Sequence, residues 1–392
     1  MKTIRDLNIT GKRVLIRVDF NVPMNEQGEI TDDLRIRTVL PTINYALEQG
    51  AKILLASHMG RPKGERVEKY SLAPVAEYLS DILNKTVKTT KDCVGTEAEN
   101  AVAAMNNGDV ILLENLRYHA EEQANDPEFA KQLAALADVY INDAFAVSHR
   151  AHASVTGIPA NCAEKAAGLL LDKEMSYFHR SVDNPQRPLV AIVGGAKVSG
   201  KLEALTNMLN KVDCLLIGGA MANTFLKSQG YSVGASKVED DLLDNARQLL
   251  IDAQKKGVKV YLPVDVIAAD RFAPDAVCKQ VTIQDIPDNW MALDIGPASV
   301  ICFSQVLADA KTIIWNGPMG AFEMDAYARG TMALAHTVAS AHALSITGGG
   351  DSNAAVRLSG EADNISYMST GGGAFLMLME GKELPGVIAL EG

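Results

Sequence analysis

The feature that most constrains the fold is a regular alternation of short apolar runs with longer helical patterns. The short runs are rich in Val, Ile and Leu, and the stretches between them repeat apolar residues every three or four positions. This alternation is typical of a mainly parallel sheet with crossover helices. Strands are predicted at residues 14–18, 52–57, 110–113, 139–142, 189–193, 214–217, 258–262, 312–315 and 343–347, and helices at 128–137 and 242–254.

The length predicts more than one domain. The chain has 392 residues, and single hydrophobic cores stop growing at roughly 250–300. A helical pattern at 168–181 is followed by Asn184-Pro185-Gln186-Arg187-Pro188, where two prolines prevent the helix from continuing. We therefore expect an α/β fold of two Rossmann-like, doubly wound domains at 1–168 and 189–377, joined by a helical hinge at 169–188 and followed by a tail at 378–392.

Charge and cysteine usage exclude several classes of protein. The net charge of −11 argues against nucleic-acid or membrane partners, which usually require a basic face. The five cysteines are widely spaced and form no C-x-x-C pair, which favours a reducing compartment without a zinc site. The first residues lack the apolar stretch of a signal peptide. The expectation is a cytoplasmic protein.

Polar or glycine-rich segments follow almost every predicted strand. Ligands of open parallel sheets bind outside the carboxyl ends of the strands, where the crossover loops converge. In the first half of the chain these segments repeatedly contain Arg and His. A planar guanidinium group can bind phosphate or carboxylate through two parallel hydrogen bonds. Each Arg alone could be a surface residue in a weak ion pair, but together they predict a site for a small polyanion: Arg35, Arg61, Arg117 and Arg150, with His58, His149 and His152.

A second group of segments predicts a phosphate site in the other half. Residues 195–201 match the first seven positions of a P-loop, but Leu202 replaces the Ser or Thr that would hold Mg²⁺. We therefore reject a true P-loop, although Lys197 and Lys201 beside glycines still suit a phosphate-binding turn. The plainer alternative is a glycine-rich turn with solvated lysines.

Two further glycine-rich segments precede predicted helices. Residues 347–353 follow a strand, and their glycines would let helix N–H groups approach phosphate oxygens. Asp351 suits a Mg²⁺ ligand, and either Asp351 or Ser352 could instead be the N-cap. Residues 370–373 form a second glycine-rich segment of this kind and would supply further backbone N–H donors. Residues 217–220 and 315–318 are candidate walls of a base-binding slot, with Glu323 available to a ribose hydroxyl, or else they are plain turns.

The sequence resembles phosphoglycerate kinases from end to end. The matching segments keep their order over some 360 residues: 17–23, 57–62, 113–118, 149–152, 194–201, 315–323, 348–352 and 369–374. The resemblance implies an acid-binding N-terminal domain and a nucleotide-binding C-terminal domain. It implies a carboxyl-acceptor phosphotransferase of glycolysis that interconverts 1,3-bisphosphoglycerate plus ADP with 3-phosphoglycerate plus ATP and uses Mg²⁺. It further implies a monomer, domain closure, and a C-terminal tail that returns to the N-terminal domain.

The resemblance also implies roles for individual residues. Those that would hold the glycerate ligand are Asp19, Phe20, Asn21, Arg35, His58, Met59, Gly60, Arg61, Arg117 and Arg150. Those that would bind the nucleotide are Lys197, Lys201, Gly218, Gly219, Ala292, Asn316, Glu323, Gly349, Gly350, Asp351 and Ser352, with Asp351 on the metal. Arg35, Lys197, Gly372 and Gly373 would stabilise the migrating phosphoryl group.

Two departures from the family pattern are visible. Ala292 stands where Gly is expected beside the nucleotide, and its methyl group would narrow the base slot. Ala146-Val147-Ser148 precedes His149 where Gly-Thr-Ala is common. The competing interpretations are a dehydrogenase-like or sugar-nucleotide enzyme and a nucleotide-binding regulatory module. The first lacks a G-x-G-x-x-G fingerprint, and the second leaves the Arg and His residues without a ligand.

Overall fold

All nine predicted strands are present in the computed structural model, which describes residues 1–392, and each begins and ends within one residue of expectation. The fold divides into two units, the first formed by residues 1–175 and 383–392 and the second by residues 176–382. The strands of the first unit are β1 Arg13–Arg17, β2 Lys52–Ala56, β3 Val87–Thr89, β4 Val110–Leu112, β5 Val139–Asn142 and β6 Glu164–Ala167. Those of the second are β7 Leu189–Val193, β8 Cys214–Ile217, β9 Lys259–Tyr261, β10 Asp265–Ala269, β11 Cys278–Thr282, β12 Met291–Ile295, β13 Thr312–Asn316, β14 Leu344–Thr347 and β15 Tyr367–Met368.

Helices alternate with these strands along the chain. The helices that precede the second unit's first strand are α1 Leu34–Glu48, α2 Ala73–Leu83, α3 Thr96–Ala103, α4 Ala120–Ala124, α5 Pro127–Ala135, α6 Ile158–Asn161 and α7 Leu169–Phe178. The later ones are α8 Leu202–Met208, α9 Met221–Ser228, α10 Leu243–Lys256, α11 Pro297–Ala308, α12 Arg329–Ser340, α13 Gly350–Leu358, α14 Gly372–Met379 and α15 Pro385–Glu391. None of the helices has both the length and the apolar character needed to cross a membrane.

The first unit is built on a six-stranded parallel sheet in the order β3-β4-β2-β1-β5-β6. The central strands are apolar because helices cover both faces, and Ile16, Ile53 and Ile141 are completely buried. Helix α1 packs Ile36 and Ile43 into the same core. The chain leaves β1 toward β2 on one side, and β5 lies on the other, so the order reverses at β1. Crossover loops on either side of such a reversal open a crevice at the carboxyl ends of the strands.

The second unit repeats this plan and adds a small sheet. Its parallel sheet has the order β15-β14-β13-β7-β8-β9, and the reversal lies between β7 and β13. Strands β10, β11 and β12 form a separate antiparallel sheet in the order β11-β10-β12. Two six-stranded parallel sheets, each wound in both directions, confirm the predicted α/β class with two Rossmann-like domains.

Four of the strands that were not predicted are short edge strands or are mostly exposed. β3, β6 and β15 are edge strands of two to four residues, and β11 is mostly exposed. Edge strands are covered less than central ones, so their sequences carry a weaker hydrophobic signal. Tertiary pairing, rather than local pattern, decides that these segments are extended.

The last helix belongs to the first unit. The Gly386 N–H donates to the Ser148 carbonyl oxygen at 2.9 Å, and the terminal amine lies 3.6 Å from the Glu391 carboxylate. A Cβ atom on Gly386 would lie 2.8 Å from a methyl carbon of Val155. Only glycine therefore allows α15 to approach this closely.

Candidate active site

The segment after β1 is joined by hydrogen bonds to the neighbouring loop and helix of the first unit. The Asp19 carboxylate accepts a hydrogen bond from Arg35 at 2.9 Å, and the same guanidinium donates to the Asn21 carbonyl oxygen at 3.0 Å. The Asn21 side-chain oxygen in turn accepts from the Gly60 N–H at 2.8 Å. These bonds tie the loops after β1 and β2 to the first turn of α1. The arrangement fixes the Arg35 head group while leaving its side chain 37% exposed.

His58 lies beneath this network and is almost completely buried. Its Nδ1 lies 3.3 Å from Nη2 of Arg17, which can only donate, so the ring accepts there and carries its proton on Nε2. Burial and the surrounding guanidinium groups of Arg17, Arg117 and others lower the pKa of His58 well below its usual range. A neutral His58 therefore offers an N–H donor at physiological pH.

Arg117 reaches the same place from the loop after β4. Its Nη1 donates to the Gly60 carbonyl oxygen at 2.8 Å, whereas its buried Nη2 has no hydrogen-bond partner. Burial and the nearby Arg17 and Arg150 lower the pKa of Arg117 to about 10. Asn115 supports this loop by bonding to both the N–H and the carbonyl oxygen of Met59. An unpaired buried guanidinium nitrogen is costly unless a ligand satisfies it.

The loop after β5 adds further nitrogen donors. Arg150 contacts His149 at 3.2 Å, and the Nδ1 atoms of His149 and His152 are buried without hydrogen-bond partners. Burial together with nearby guanidinium groups lowers the pKa of His152 to about 4. Both histidines belong to the predicted Arg and His group, and the structure brings them to its edge.

The cluster carries an excess of positive charge. Four arginines lie in it, namely Arg17, Arg35, Arg117 and Arg150, and they influence one another or His58 electrostatically. The carboxylates among them are Asp19 and Glu122. Glu122 is buried and already accepts hydrogen bonds from the Ser154 N–H and hydroxyl. The arrangement is built to take a small anion.

Two predicted ligands of this group stand at opposite extremes of exposure. Arg61 is exposed at the rim and forms no hydrogen bond within the protein. Phe20 is buried, with its N–H bonded to the Ser57 hydroxyl at 2.8 Å, so its contribution is restricted to its backbone and its packing. The remaining predicted residues of this unit lie together on the loops after β1, β2, β4 and β5 and at the start of α1.

The second unit has its polar loops at the reversal between β7 and β13. The Gly194 N–H donates to the Asn316 carbonyl oxygen, and the Gly195 N–H donates to that of Pro318, both at 3.0 Å. Gly219 packs against this turn so closely that a Cβ atom would lie 2.5 Å from the Gly195 nitrogen. Glycines are required here because backbone touches backbone.

The two lysines of this turn have different environments. Lys201 is drawn inward, and its ammonium donates to the carbonyl oxygens of Gly194 and Asn316 at 2.7 and 2.8 Å and to the Asn316 side chain. Burial lowers the pKa of Lys201 to about 8, and the charge of Asp351 acts against that shift. Lys197 is exposed and forms no hydrogen bond within the protein. Lys197 is therefore available to a ligand, whereas Lys201 must exchange its present partners to reach one.

Two helix N-termini converge beside this turn. Helices α13 and α14 begin after Gly349 and Gly371, and neither has a side chain that caps its first N–H groups. A Cβ atom on Gly372 would lie 3.0 Å from the Cα atom of Gly349, so the two glycine-rich turns are in contact. Free N–H groups of two helices, both at the positive end of a helix dipole, favour an anion.

Asp351 and Ser352 occupy the first turn of α13 but face different surroundings. Asp351 is exposed, and its carboxylate forms no hydrogen bond within the protein, so it suits a cation held together with phosphate oxygens. Ser352 is buried, donates to the Gly348 carbonyl oxygen and accepts from the Gly317 N–H. The Asn316 amide also donates to the Gly348 carbonyl oxygen at 2.7 Å. Ser352 and Asn316 thus hold the turns through their side chains.

The predicted base and ribose residues lie on neighbouring segments. Gly218 has no room for a side chain, because a Cβ atom would lie 2.3 Å from the Met319 sulfur. Ala292 is half-buried on β12, and the Ala321 N–H donates to the carbonyl oxygen of the next residue, Leu293, at 2.8 Å. Glu323 is exposed two residues further on. The structure therefore brings the segment after β13 next to β12.

One group of potential metal ligands lies outside this region. Asp92, Cys93 and His119 of the first unit each present a ligand atom within 4.8 Å of the others. These residues are up to 27 positions apart along the chain, so their proximity arises only in the tertiary structure. The Asp92 carboxylate already bonds to the His119 ring at 2.7 Å, and burial raises the pKa of the Cys93 thiol well above its usual value. We assign these residues no part in the reaction.

Sequence reasoning missed the buried supports of the anion cluster. Arg17 is completely buried and donates to the Ser154 hydroxyl at 2.8 Å. A charged residue at the carboxyl end of an apolar strand was the signal that could have identified it. Glu122 and Ser154 carried no comparable signal, because they meet Arg17 only through folding.

Comparison with known proteins gives a consistent result. The phosphoglycerate kinase family model matches residues 4–382. A phosphoglycerate kinase of Desulfotalea psychrophila is 65% identical over 391 residues, covering 100% of both chains. One of Geobacter metallireducens is 59% identical over 384 residues, covering 98% of this chain and 96% of the relative.

Solved structures agree with the sequence relatives. Phosphoglycerate kinase from Coxiella burnetii superimposes with a TM-score of 0.92 at 45% identity, covering 99% of this chain and 98% of the other. The enzyme from Pyrococcus horikoshii OT3 gives 0.86 at 31% identity, covering 100% and 98%.

Proposed function

Because the chain belongs to the phosphoglycerate kinase family, we propose that the Arg and His cluster of its first unit binds the phosphoglycerate and that the glycine-rich turns of its second unit bind the nucleotide. Family membership gives the reaction, which is reversible phosphoryl transfer between 1,3-bisphosphoglycerate and ADP to form 3-phosphoglycerate and ATP. This is a kinase reaction of glycolysis with a carboxyl group as acceptor, and ATP binding is part of it.

The observation that carries the substrate assignment is the unbalanced positive charge of the first unit. Phosphoglycerate brings a phosphate and a carboxylate, which match forked guanidinium donors at two places. The unpartnered Nη2 of Arg117 and the free head group of Arg61 supply such donors. The substrate hydroxyl and phosphate are oriented by Asp19, Asn21 and neutral His58. Met59, Gly60 and Phe20 shape the loop between these groups.

The nucleotide assignment rests on the convergence of α13 and α14. Their uncapped N–H groups at Gly349, Gly350, Gly372 and Gly373 face phosphate oxygens in the proposal. Gly218, Gly219 and Ala292 form the walls of the base site, and Glu323 reaches the ribose. Lys201 binds phosphate after exchanging its carbonyl partners, while Asn316 and Ser352 hold the turns in shape.

In this proposal magnesium binds together with the nucleotide. Asp351 is the residue that would hold it, since its exposed carboxylate has no other partner and stands beside the proposed phosphate site. When bound, the ion would neutralise charge on the nucleotide phosphates. The geometry and chemistry of this position fit a magnesium ligand.

Catalysis in this proposal is positioning plus charge stabilisation. The substrate carboxylate and the terminal phosphate of ADP exchange the phosphoryl group directly, so no side chain acts as a nucleophile. Arg35, Lys197 and the N–H groups of Gly372 and Gly373 stabilise charge on the migrating group. Since the assigned groups come from both units, transfer requires closure of the units around the substrates, which also excludes water.

The state and location of the protein follow as part of the same proposal. Every assigned residue lies on one chain, so a monomer suffices for the reaction. All five cysteines are free, as is usual in the reducing cytoplasm. No other partner is required beyond the nucleotide and the phosphoglycerate.

The test is a coupled assay of the purified protein with 3-phosphoglycerate, ATP and Mg²⁺, in which glyceraldehyde-3-phosphate dehydrogenase reports product as NADH loss. We expect turnover that depends on 3-phosphoglycerate and disappears with excess EDTA. Lys197→Ala should lower kcat at least ~10²-fold, as loss of a transition-state charge donor does.

The matched control is Lys311→Ala, which removes another exposed lysine of the same unit and should leave kcat unchanged. A folded Lys197→Ala protein with near-normal kcat would remove Lys197 from its assigned role.

A further inference from the structure

Glu239 contacts the loop that carries Lys197, although it lies about 40 residues further along the chain. Its carboxylate accepts three hydrogen bonds from that loop. The donors are the Val198 N–H at 2.5 Å, the Ser199 N–H at 3.0 Å and the Ser199 hydroxyl at 2.5 Å.

The bond to Val198 acts directly on Lys197. The Val198 N–H belongs to the peptide group that joins Lys197 to Val198, so the carboxylate fixes the backbone from which the Lys197 side chain projects. On the other side of this residue, the Lys201 N–H donates to the Val198 carbonyl oxygen at 2.8 Å. Val198 itself is completely buried. The loop is therefore held at Val198, next to the exposed lysine.

Glu239 is itself anchored outside the loop. Its own N–H donates to the Thr224 hydroxyl of α9 at 3.2 Å, and Thr224 is buried. The neighbouring Asp240 pairs with Lys227 of the same helix at 2.7 Å. Glu239 thus links the Lys197 loop, through its carboxylate, to α9, through its backbone N–H.

The charges favour this arrangement. Burial acts to raise the pKa of Glu239, but the hydrogen bonds from Ser199 and Val198 and the charge of Lys197 outweigh it and lower that pKa. Glu239 is therefore ionised at neutral pH and attracts the Lys197 ammonium without forming an ion pair with it. The N–H groups of Val198 and Ser199 are occupied by this carboxylate, so they are not free to bind nucleotide phosphates.

We infer that Glu239 is a positioning residue for phosphoryl transfer, which holds the Lys197 loop in the conformation that places the ammonium at the migrating phosphoryl group. This inference rests on the proposed role of Lys197. Its consequence is kinetic. A misplaced Lys197 weakens an interaction made in the transition state, so Glu239 contributes to kcat and has little influence on the KM of either substrate.

The experiment is a double-mutant cycle on the intact enzyme, measured with the coupled assay. Glu239→Ala should lower kcat about tenfold or more, because small misplacements of a catalytic group are costly. The KM values for 3-phosphoglycerate and ATP should change by less than about threefold. Ser199→Ala removes one of the three bonds and should have a smaller effect on kcat. In the Lys197→Ala background, Glu239→Ala should cause no further loss, since residues that act as a unit are not additive.

Two further variants separate positioning from folding. Glu239→Gln keeps the shape and one acceptor oxygen but loses the charge and a bond, so its kcat should lie between those of the wild type and Glu239→Ala. Asp240→Asn alters the adjacent carboxylate, which contacts Lys227 rather than the loop, and should retain wild-type kcat. Thermal unfolding midpoints identify any variant whose lower kcat reflects instability. If Glu239→Ala is unstable, Glu239→Gln replaces it in the double-mutant cycle.

The outcomes distinguish the two proposals. If Lys197→Ala abolishes turnover but folded Glu239→Ala keeps kcat within about twofold, the inference is overturned and the role of Lys197 stands. Additive losses in the double variant also overturn it. If Lys197→Ala itself keeps near-normal kcat, the assignment of Lys197 fails and the inference fails with it.

Discussion

At the scale of single residues, the first unit concentrates buried positive charge that its own carboxylates do not balance. Arg17 and Arg117 are buried, and one nitrogen of Arg117 has no partner. Burying charge without compensation costs free energy, so such a cluster is expected only where a ligand supplies the missing anion. The depressed pKa values of His58 and His152, caused first by burial and then by the guanidinium groups, reflect the same environment.

Arg61 provides the clearest test of this cluster. Its side chain is exposed and has no internal hydrogen bond to lose, so Arg61→Ala should leave the thermal unfolding midpoint unchanged. The KM for 3-phosphoglycerate should rise about tenfold or more, as expected for loss of a charged hydrogen bond worth roughly 1.5–3 kcal/mol. The coupled assay measures this at saturating ATP.

Arg66→Ala is the matched control, because Arg66 is another exposed arginine of the same segment that bonds to the Lys91 carbonyl oxygen. An unchanged KM in Arg61→Ala, or an equal rise in both variants, would count against the cluster as the phosphoglycerate site.

The sequence identified the residues of this cluster that lie on loops directly after strands. Arg35, His58, Arg117 and Arg150 lie on such loops or beside them, and the structure brings them together. Arg17, Glu122 and Ser154 form a buried network beneath them. Arg17 stands out as a charged residue at the end of an apolar strand, but no pattern along the chain could reveal that it meets Glu122 and Ser154.

At the scale of single elements, helix α7 begins on a buried acid. The Asp143 carboxylate accepts hydrogen bonds from the N–H groups of Leu170 and Leu171 at 2.8 and 3.1 Å. A Cβ atom on Gly168 would lie 2.2 Å from its carboxyl carbon, so glycine is required there. Burial raises the pKa of Asp143 from 3.8 to about 7.

This raised pKa predicts a pH dependence of stability. Between about pH 4 and pH 7 the folded protein keeps a proton on Asp143 that the unfolded chain has released. The stability contributed by this group is therefore fully present below about pH 4 and is lost as the pH rises to about 7, by up to about 1.4 kcal/mol per pH unit. Asp143→Asn cannot ionise and keeps an acceptor oxygen. Its unfolding midpoint should rise relative to that of the wild type between pH 5 and pH 8.

Asp81→Asn serves as the control for this measurement, because Asp81 is an exposed carboxyl on α2 of the same unit. A constant difference in midpoint between Asp143→Asn and the wild type across this pH range would show that Asp143 does not titrate there.

The bounds of secondary-structure elements were predicted well for strands that are buried on both faces of the sheet. Central strands such as β5, β7 and β8 were located at their observed bounds, since strands covered on both faces appear as uninterrupted apolar runs. The antiparallel sheet of β10, β11 and β12 was not anticipated. Its strands differ in burial, since β10 is mostly buried, β11 is mostly exposed and β12 is largely half-buried, and only pairing in three dimensions makes them a sheet.

At the scale of the whole molecule, a net charge of −11 coexists with a local cation-rich site. The proposed donor and acceptor groups are assigned to different units, so the reaction predicts a change in the dimensions of the molecule when both sites are filled. Small-angle scattering should show a smaller radius of gyration with 3-phosphoglycerate and MgADP together than with either alone. This pair of ligands cannot react, so the mixture is stable during measurement.

The control for scattering is the Arg61→Ala variant. It should need a higher concentration of 3-phosphoglycerate than the wild type to reach the smaller radius of gyration. A radius that is unaffected by both ligands would contradict domain closure.

The sequence by itself determined the fold class, the family and the segments that carry chemistry. These properties depend on local order, because apolar periodicity marks strands and helices, and glycine or arginine directly after a strand marks its ligand edge. The tertiary structure decided which of these groups are free and which are occupied. Lys201 and Ser352 were expected to bind ligand, but their side chains already bond to backbone groups of neighbouring turns, whereas Lys197 and Asp351 are exposed. Glu239 was invisible along the chain because its three hydrogen bonds join segments about 40 residues apart, and such contacts exist only once the chain has folded.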